Sequence, residues 1–131
     1  MNENHIEAGR RGETLALEHL LGQGYRLVER NFRFQRGEID LILAAPDGDL
    51  VFAEVKAGRG DTAGDPAAWV TAKKQRQLQR VAQGYCVTHG LADRPMRFDV
   101  LAVNLDESSQ GSGRVRHFPH AFLPEAAVYF R

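Results

Sequence analysis

Asp40, Glu54 and Lys56 interrupt two segments, Gly37-Glu38-Ile39-Asp40-Leu41-Ile42 and Phe52-Ala53-Glu54-Val55-Lys56, that otherwise read as apolar strands. Extended backbone alternates its side chains between two faces. Leu50, Phe52, Glu54 and Lys56 should therefore share a face, as should Glu38, Asp40 and Ile42, with Ile39, Leu41 and Leu43 opposite them. Both faces of both strands are largely apolar, the pattern of central strands covered by helices. The connection Ala45-Pro46-Asp47-Gly48-Asp49 decides whether the two acids meet. A type I turn with Pro46 second, followed by Gly48 in the left-handed region, pairs Ala45 with Asp49. Asp40 then lies opposite Glu54, with Lys56 opposite Glu38. A two-residue Asp-Gly turn would shift the register by one and send Asp40 and Glu54 to opposite faces.

Opposed like charges destabilise a strand pair, and neither is cheap to bury alone. A divalent cation removes both objections. Two carboxylates, a carbonyl and waters form an oxygen-only site suited to Mg²⁺ or Mn²⁺. Lys56, pointing to the same side, is placed to position a water or steady a phosphate. The competing reading is a solvated strand end whose charges pair among themselves. A third carboxylate weighs against it. In a helix over residues 4–22, Glu13 falls in line with Ile6, Gly9, Leu17 and Leu20, and so should face the sheet.

The remaining elements follow from the pattern. Gly22 and Gly24 stop the first helix, residues 25–34 read as a strand, and residues 39–44 and 50–56 are the two central strands. The glycine-rich residues 57–65 form a loop, and Asp65 with Pro66 can open a second helix running to about His89. Residues 96–105 make a fourth strand, and Arg114–Phe118 are the candidate for a fifth beyond a polar connection. The order predicts a mixed α/β sheet of four to five strands flanked by helices, one domain over residues 1–131. At this length about two-thirds of the unfolded surface can be buried, enough for one core.

In order along the chain, Gly12-Glu13, Gly24-Tyr25, Arg30-Asn31, Gly37-Glu38-Ile39-Asp40-Leu41-Ile42, Phe52-Ala53-Glu54-Val55-Lys56 and Arg97-Phe98-Asp99-Val100 resemble the YraN family of predicted endonuclease-like proteins. That family is similar to archaeal Holliday-junction resolvases and to the wider PD-(D/E)XK nuclease superfamily. The resemblance spans roughly residues 8–123. It implies a restriction-endonuclease-like fold, Asp40 and Glu54 as metal ligands for Mg²⁺ or Mn²⁺, Lys56 as the catalytic lysine, and Glu13 as the helix carboxylate completing the site. Ile39 stands where the superfamily's name has Pro. Ala57-Gly58-Arg59 follows Lys56 where relatives often carry a basic residue sooner, which bears on the role of Arg59. Lys74 and Gln75 match the second-helix positions, to contact a scissile phosphate or a site carboxylate. Resolvase-like relatives also suggest a homodimer.

Charge patterning agrees with the nucleic-acid partner, DNA, that the resemblance implies. The chain has 17 Lys and Arg against 17 Asp and Glu, excluding a globally basic coat protein. Yet residues 69–80 carry four cations, including Lys73 and Lys74, and no acid. Val70, Lys74, Leu78, Val81 and Tyr85 share a helical face, so Lys74 breaks the buried stripe. Arg26, Arg30, Arg33 and Arg36 supply a second strip. Phosphate contacts from such groups position a substrate without reading its sequence. Trp69 and Cys86 read as core residues, His117 and His120 as surface residues, and Asp99 beside Arg97 as an ion pair. The single cysteine excludes a disulfide framework. With no apolar run long enough to span a bilayer and no leader pattern at the start, the chain reads as cytoplasmic, with no membrane partner. Two functions compete: a metal-dependent nuclease acting on branched or structured DNA, and a non-catalytic nuclease-fold binding or adaptor module.

Overall fold

The computed structural model describes residues 4–58, 69–106 and 114–123. Its elements are α1 (His5–Gly22), β1 (Arg26–Phe34), β2 (Gly37–Ala44), β3 (Leu50–Gly58), α2 (Ala72–Thr88), β4 (Met96–Asn104) and β5 (Val115–Phe122). The five strands form one sheet in sequence order. β3 and β4 are parallel, joined across α2, and the other neighbours are antiparallel. This is the mixed α/β sheet flanked by helices that the pattern predicts.

The β2–β3 turn has the expected register. Ala45 N donates to Asp49 O at 2.9 Å, Gly48 N to Ala45 O at 2.9 Å, and Gly48 has φ +95°, a conformation costly for any residue with a Cβ. Leu41 pairs with Ala53 and Leu43 with Val51, so Asp40 comes into line with Glu54.

Each helix covers one face. Against α1 lie Leu41, Leu43, Val51, Ala53, Leu101 and Val103; against α2 lie Ile42, Leu50, Phe52, Phe98 and Val100. Ile39 departs from strict alternation. It packs on the α2 side with Phe32, its β1 partner, although Leu41 faces α1. Between them, at the step where Asn31 comes opposite Asp40, Asn31 has φ +56° and the side-chain alternation slips.

The buried line of α1 is Gly12, Ala16 and Leu20, one position round from the predicted stripe, and Ile6 is exposed. Gly12 explains the rotation: a Cβ there would collide with the Ala57 side chain on β3, so the helix seats its smallest residue at the contact. Gly12→Ala should destabilise the protein by about 1–2 kcal/mol. The overpacking cost exceeds the roughly 1 kcal/mol that Ala gains over Gly inside a helix. Urea denaturation monitored by circular dichroism measures it.

Helix α2 starts later than predicted. Thr71 is its cap, its side chain accepting from Lys74 N at 3.1 Å, while Asp65 and Pro66 lie outside the described residues. Val70 and Trp69 pack beneath the start, Trp69 edge-on to Phe118 with ring centroids 5.4 Å apart. Cys86 is fully buried in the same core, as expected, and burial pushes its thiol up. Strand β5 runs beyond Phe118 to Phe122 despite Pro119, because it pairs with β4 alone and can tolerate a missing donor.

His117 is not a surface residue. Its Nε2 lies 2.7 Å from Asp99 Oδ2, and its side chain is 12% exposed. Asp99 is completely buried. It also accepts from Arg97 Nε at 3.1 Å and from the His120 backbone N–H at 3.2 Å, while Arg97 donates to Tyr25 Oη at 2.6 Å. The expected Arg97–Asp99 pair is thus one part of a larger network tying β4 and β5 to Tyr25, just before β1, on the α1 side.

Candidate active site

The turn and the sheet register bring Asp40 and Glu54 to one place. The assigned β2–β3 ladder ends at Leu41–Ala53, and beyond it Asp40 Oδ2 accepts the Val55 backbone N–H at 2.8 Å. One carboxylate thus takes over a hydrogen bond where regular strand pairing stops. Glu54 is buried, and its Oε2 lies 3.8 Å from Lys74 Nζ on α2. Lys74 breaks the apolar stripe of α2 because it reaches a site carboxylate. Burial is the main force pushing the Asp40 carboxyl up to about 8, followed by the charge of Glu54 and a carboxyl–carboxyl hydrogen bond between the two. Near neutrality Asp40 therefore keeps its proton, because a half-buried carboxyl beside the buried Glu54 cannot ionise cheaply.

Glu13 approaches the pair from the border of α1. Its side chain is only 15% exposed, although it lies off the buried line of the helix. Oε1 accepts from Asn31 Nδ2 at 3.0 Å and faces Arg30 Nε at 3.5 Å. Burial raises its pKa, Asn31 opposes that, and the charge of Asp40 raises it further. Glu13 thus senses Asp40, but its direct partners are Arg30 and Asn31. No group of three or more His, Cys, Asp and Glu side chains spaced to hold a metal occurs among the described residues. Two carboxylates remain, a set that suits a cation retaining most of its water.

Lys56 is half-buried on β3, in register with Ala102 of β4. It makes no ion pair with Glu38, which binds Arg33 Nε at 2.9 Å across β1 and β2. That exposed pair contributes little stability. Arg33, Arg36 and Glu38 instead line an open groove of about 640 Å³ whose opposite wall is Lys74 and Gln77 of α2. Gln77 Nε2 donates to Arg36 O at 3.0 Å and ties the hairpin tip to the helix. A second groove of about 370 Å³ shares Lys74 and Gln77 and adds Lys73, Arg76 and Arg80.

The groove modifies the two predicted basic strips. Arg33 and Arg36 join the α2 cations, but Arg30 does not: it binds Glu13, Arg10 O and Thr14 Oγ1 on the α1 side. Gln75 donates from Nε2 to Val70 O at 2.9 Å, steadying the start of α2. Arg59 lies outside the described residues. Sequence reasoning missed Asn31 as a site residue; a polar residue with a tolerance for left-handed backbone, set among strand formers, was the available signal.

A sequence profile of the family described as "Uncharacterised protein family UPF0102" matches residues 12–103. A UPF0102 protein from Chlorobium chlorochromatii is 44% identical over 123 residues, covering 91% of this chain and 93% of that protein. Another, from Symbiobacterium thermophilum, is 46% identical over 114 residues, covering 87% and 94%. Among solved structures, a repair endonuclease from Pyrococcus abyssi is similar with a TM-score of 0.45 and 18% identity, over 82% of this chain and 42% of that one. Pyrococcus furiosus SfsA in complex with Ca²⁺ is similar with a TM-score of 0.36 and 13% identity, over 86% and 62%. The profile match spans the carboxylate strands, α2 and α1 from Gly12 onward, and this chain belongs to the family its ordered motifs resemble, UPF0102.

Proposed function

We propose that this protein is a metal-dependent nuclease that hydrolyses phosphodiester bonds of DNA, with branched or otherwise structured DNA as its substrate. The observation carrying this reading is the meeting of Asp40 and Glu54. Two carboxylates converge at a strand end, with the Asp40 carboxyl pushed up by burial and by Glu54, and Lys74 lies against Glu54. Such a pair costs stability; Lys74 offsets part of the charge on Glu54, and a divalent cation would offset the rest. The pair's all-oxygen chemistry fits Mg²⁺ or Mn²⁺ and not a thiolate- or imidazole-seeking metal. A bound divalent ion would supply Lewis acidity at a phosphoryl oxygen and a more acidic water.

The chain's own residues do the rest. Asp40 and Glu54 hold the cation. Lys56 lies two residues along the strand from Glu54 and presents an ammonium to the phosphate or the attacking water, offsetting charge that develops in the transition state. Lys74 steadies Glu54. Arg36, Lys73, Arg76 and Arg80 line the grooves and hold the phosphate backbone.

Cleavage of branched, duplex and single-stranded DNA in Mg²⁺ or Mn²⁺ tests the reading. Lys56→Ala should lower kcat by roughly 10²–10³-fold, the usual cost of losing one transition-state charge donor, while DNA affinity is kept. Lys73→Ala should instead weaken binding and reduce the salt dependence of duplex binding by about 0.9 in log–log slope for each phosphate that the lysine neutralises. Cleavage that persists unchanged in both Asp40→Ala and Lys56→Ala belongs to a contaminant. A wild type that binds DNA and cuts nothing ends the enzyme reading.

A further inference from the structure

We infer that Asn31 is a positioning residue for this site, acting through Glu13. The inference rests on the reading of Asp40 and Glu54 as a cation site and starts from the backbone. Consecutive residues of a strand point to opposite faces, so Arg30 and Asn31 should not reach one side chain. Here both do: Arg30 Nε and Asn31 Nδ2 converge on Oε1 of Glu13.

The departure is located at Asn31. Its φ of +56° lies in the left-handed region, in the middle of β1, at the step opposite Asp40. An L-residue with a Cβ is held there at a cost of about 1–2 kcal/mol, least for Asn, whose short side chain tolerates it. The same twist returns Phe32 and Ile39 to the α2 core while Leu41 stays on the α1 side. A regular strand would aim Asn31 away from α1 and leave Glu13 with Arg30 alone.

The hydrogen bonds also set the direction of Glu13. With both donors on Oε1, that oxygen is anchored, and the carboxylate is held by the residue that stands opposite Asp40 between β1 and β2. A carboxylate so held can accept from a cation-bound water without entering the coordination sphere. That agrees with the absence of a three-carboxylate cluster among the described residues. Outer partners of this kind typically change metal affinity or activity by 10–100-fold when removed.

Glycine separates backbone from side chain, because it adopts positive φ freely and carries no amide. In full-length Asn31→Gly, the melting temperature and DNA affinity should stay near wild type. Mn²⁺ affinity, measured by isothermal titration calorimetry on the metal-free protein, should fall 10–100-fold. Glu13→Gln should lose a similar factor, and the double variant should lose no more than either single one, as expected when one residue acts through the other. Asn31→Ala should show the same Mn²⁺ loss and a lower melting temperature, since it keeps the strain and not the amide. Asn31→Asp provides the second route: it tolerates the backbone, lacks the donor and should bind Mn²⁺ at least as poorly as the Gly variant. Wild-type Mn²⁺ affinity in Asn31→Gly, or losses that add in the double variant, overturns the inference while leaving the cation site standing. Unchanged Mn²⁺ binding in Asp40→Asn and Glu54→Gln overturns both.

Discussion

Asp40→Asn will make the metal-free protein more stable at pH 8 and, on the proposed reading, remove a ligand for Mg²⁺ or Mn²⁺. In the native fold, burial and the neighbouring Glu54 push the Asp40 carboxyl up to about 8, against an ordinary value of 3.8. Between those limits the folded state holds a proton that the unfolded state has released. Stability therefore falls as pH rises, by about 1.4 kcal/mol per pH unit for one group while the difference in proton binding is complete. It is highest below pH 4 as far as this group is concerned, and the loss is complete above pH 8. Asn removes the linkage. Its Oδ1 can still accept from Val55 N, the hydrogen bond that Asp40 Oδ2 makes at 2.8 Å, so the strand end keeps its partner. A gain of at least about 2 kcal/mol, some 5–10 °C in melting temperature, is expected at pH 8. Little gain is expected at pH 4.

A divalent cation bound as proposed would reverse the same sign. Holding it requires both carboxylates ionised, so binding would displace the Asp40 proton, and saturating Mg²⁺ should flatten the fall in stability between pH 5 and 8. Melting curves of wild type, Asp40→Asn and Glu54→Gln across that range, with EDTA or with Mg²⁺, read both effects together. A wild type whose melting temperature rises steadily with pH in EDTA, or an Asp40→Asn protein that is less stable than wild type at pH 8, contradicts the account. A variant that gains stability while losing function identifies a pair kept for what it binds, since stability alone would remove it.

The pair was legible in the sequence because it depends on local rules. Period-two alternation placed each acid on a face, and Pro46 and Gly48 chose the turn that sets the register; the observed Leu41–Ala53 and Ala44–Leu50 pairs follow directly. Lys74 was visible as a charge in an apolar stripe, and the family resemblance offered a site carboxylate as one of its two partners, the contact it makes with Glu54. What escaped depends on tertiary contacts. Where α1 turns its face depends on Gly12 against Ala57, a contact between distant segments, so the helical stripe came out one position away. The slip at Asn31 is a single backbone torsion, and strand periodicity assumes that none exists. Arg30 looked like one of four surface cations, because nothing local shows that Glu13, Arg10 O and Thr14 surround it. The start of α2 was read too early because residues 66–70 suit a helix, whereas the Thr71 cap fixes the first turn.

Removal of Asp99 should be the most destabilising single substitution in the sheet, with no effect on the proposed cation site. Asp99 lies between Phe98 and Val100, which pack on the α2 side, so its own side chain faces α1 and points away from Glu54. It is fully buried, accepts from Arg97 and from the His120 backbone, and sits against the His117 ring nitrogen. Arg97 is itself 9% exposed, and its other anionic neighbours, Asp49 at 3.6 Å and Asp47 at 3.9 Å, lie at the β2–β3 turn. Asp99→Ala takes the acceptor from Arg97 Nε, from the His120 N–H and from the His117 ring in the interior, and leaves Arg97 only the longer contacts at the turn and the Tyr25 hydroxyl. Breaking a buried pair in this way typically costs about 3–5 kcal/mol, a large part of the stability of a domain this size. Asp99→Asn keeps the shape and two acceptor lone pairs, and should cost less. Replacing the pair together, as Arg97→Met with Asp99→Ala, should cost less than the two single losses combined, because neither charge is left buried alone. Denaturation of the four proteins gives the coupling energy, and calorimetry of Asp99→Asn should return wild-type Mn²⁺ affinity. Loss of Mn²⁺ binding in that folded variant would move Asp99 from the scaffold to the site.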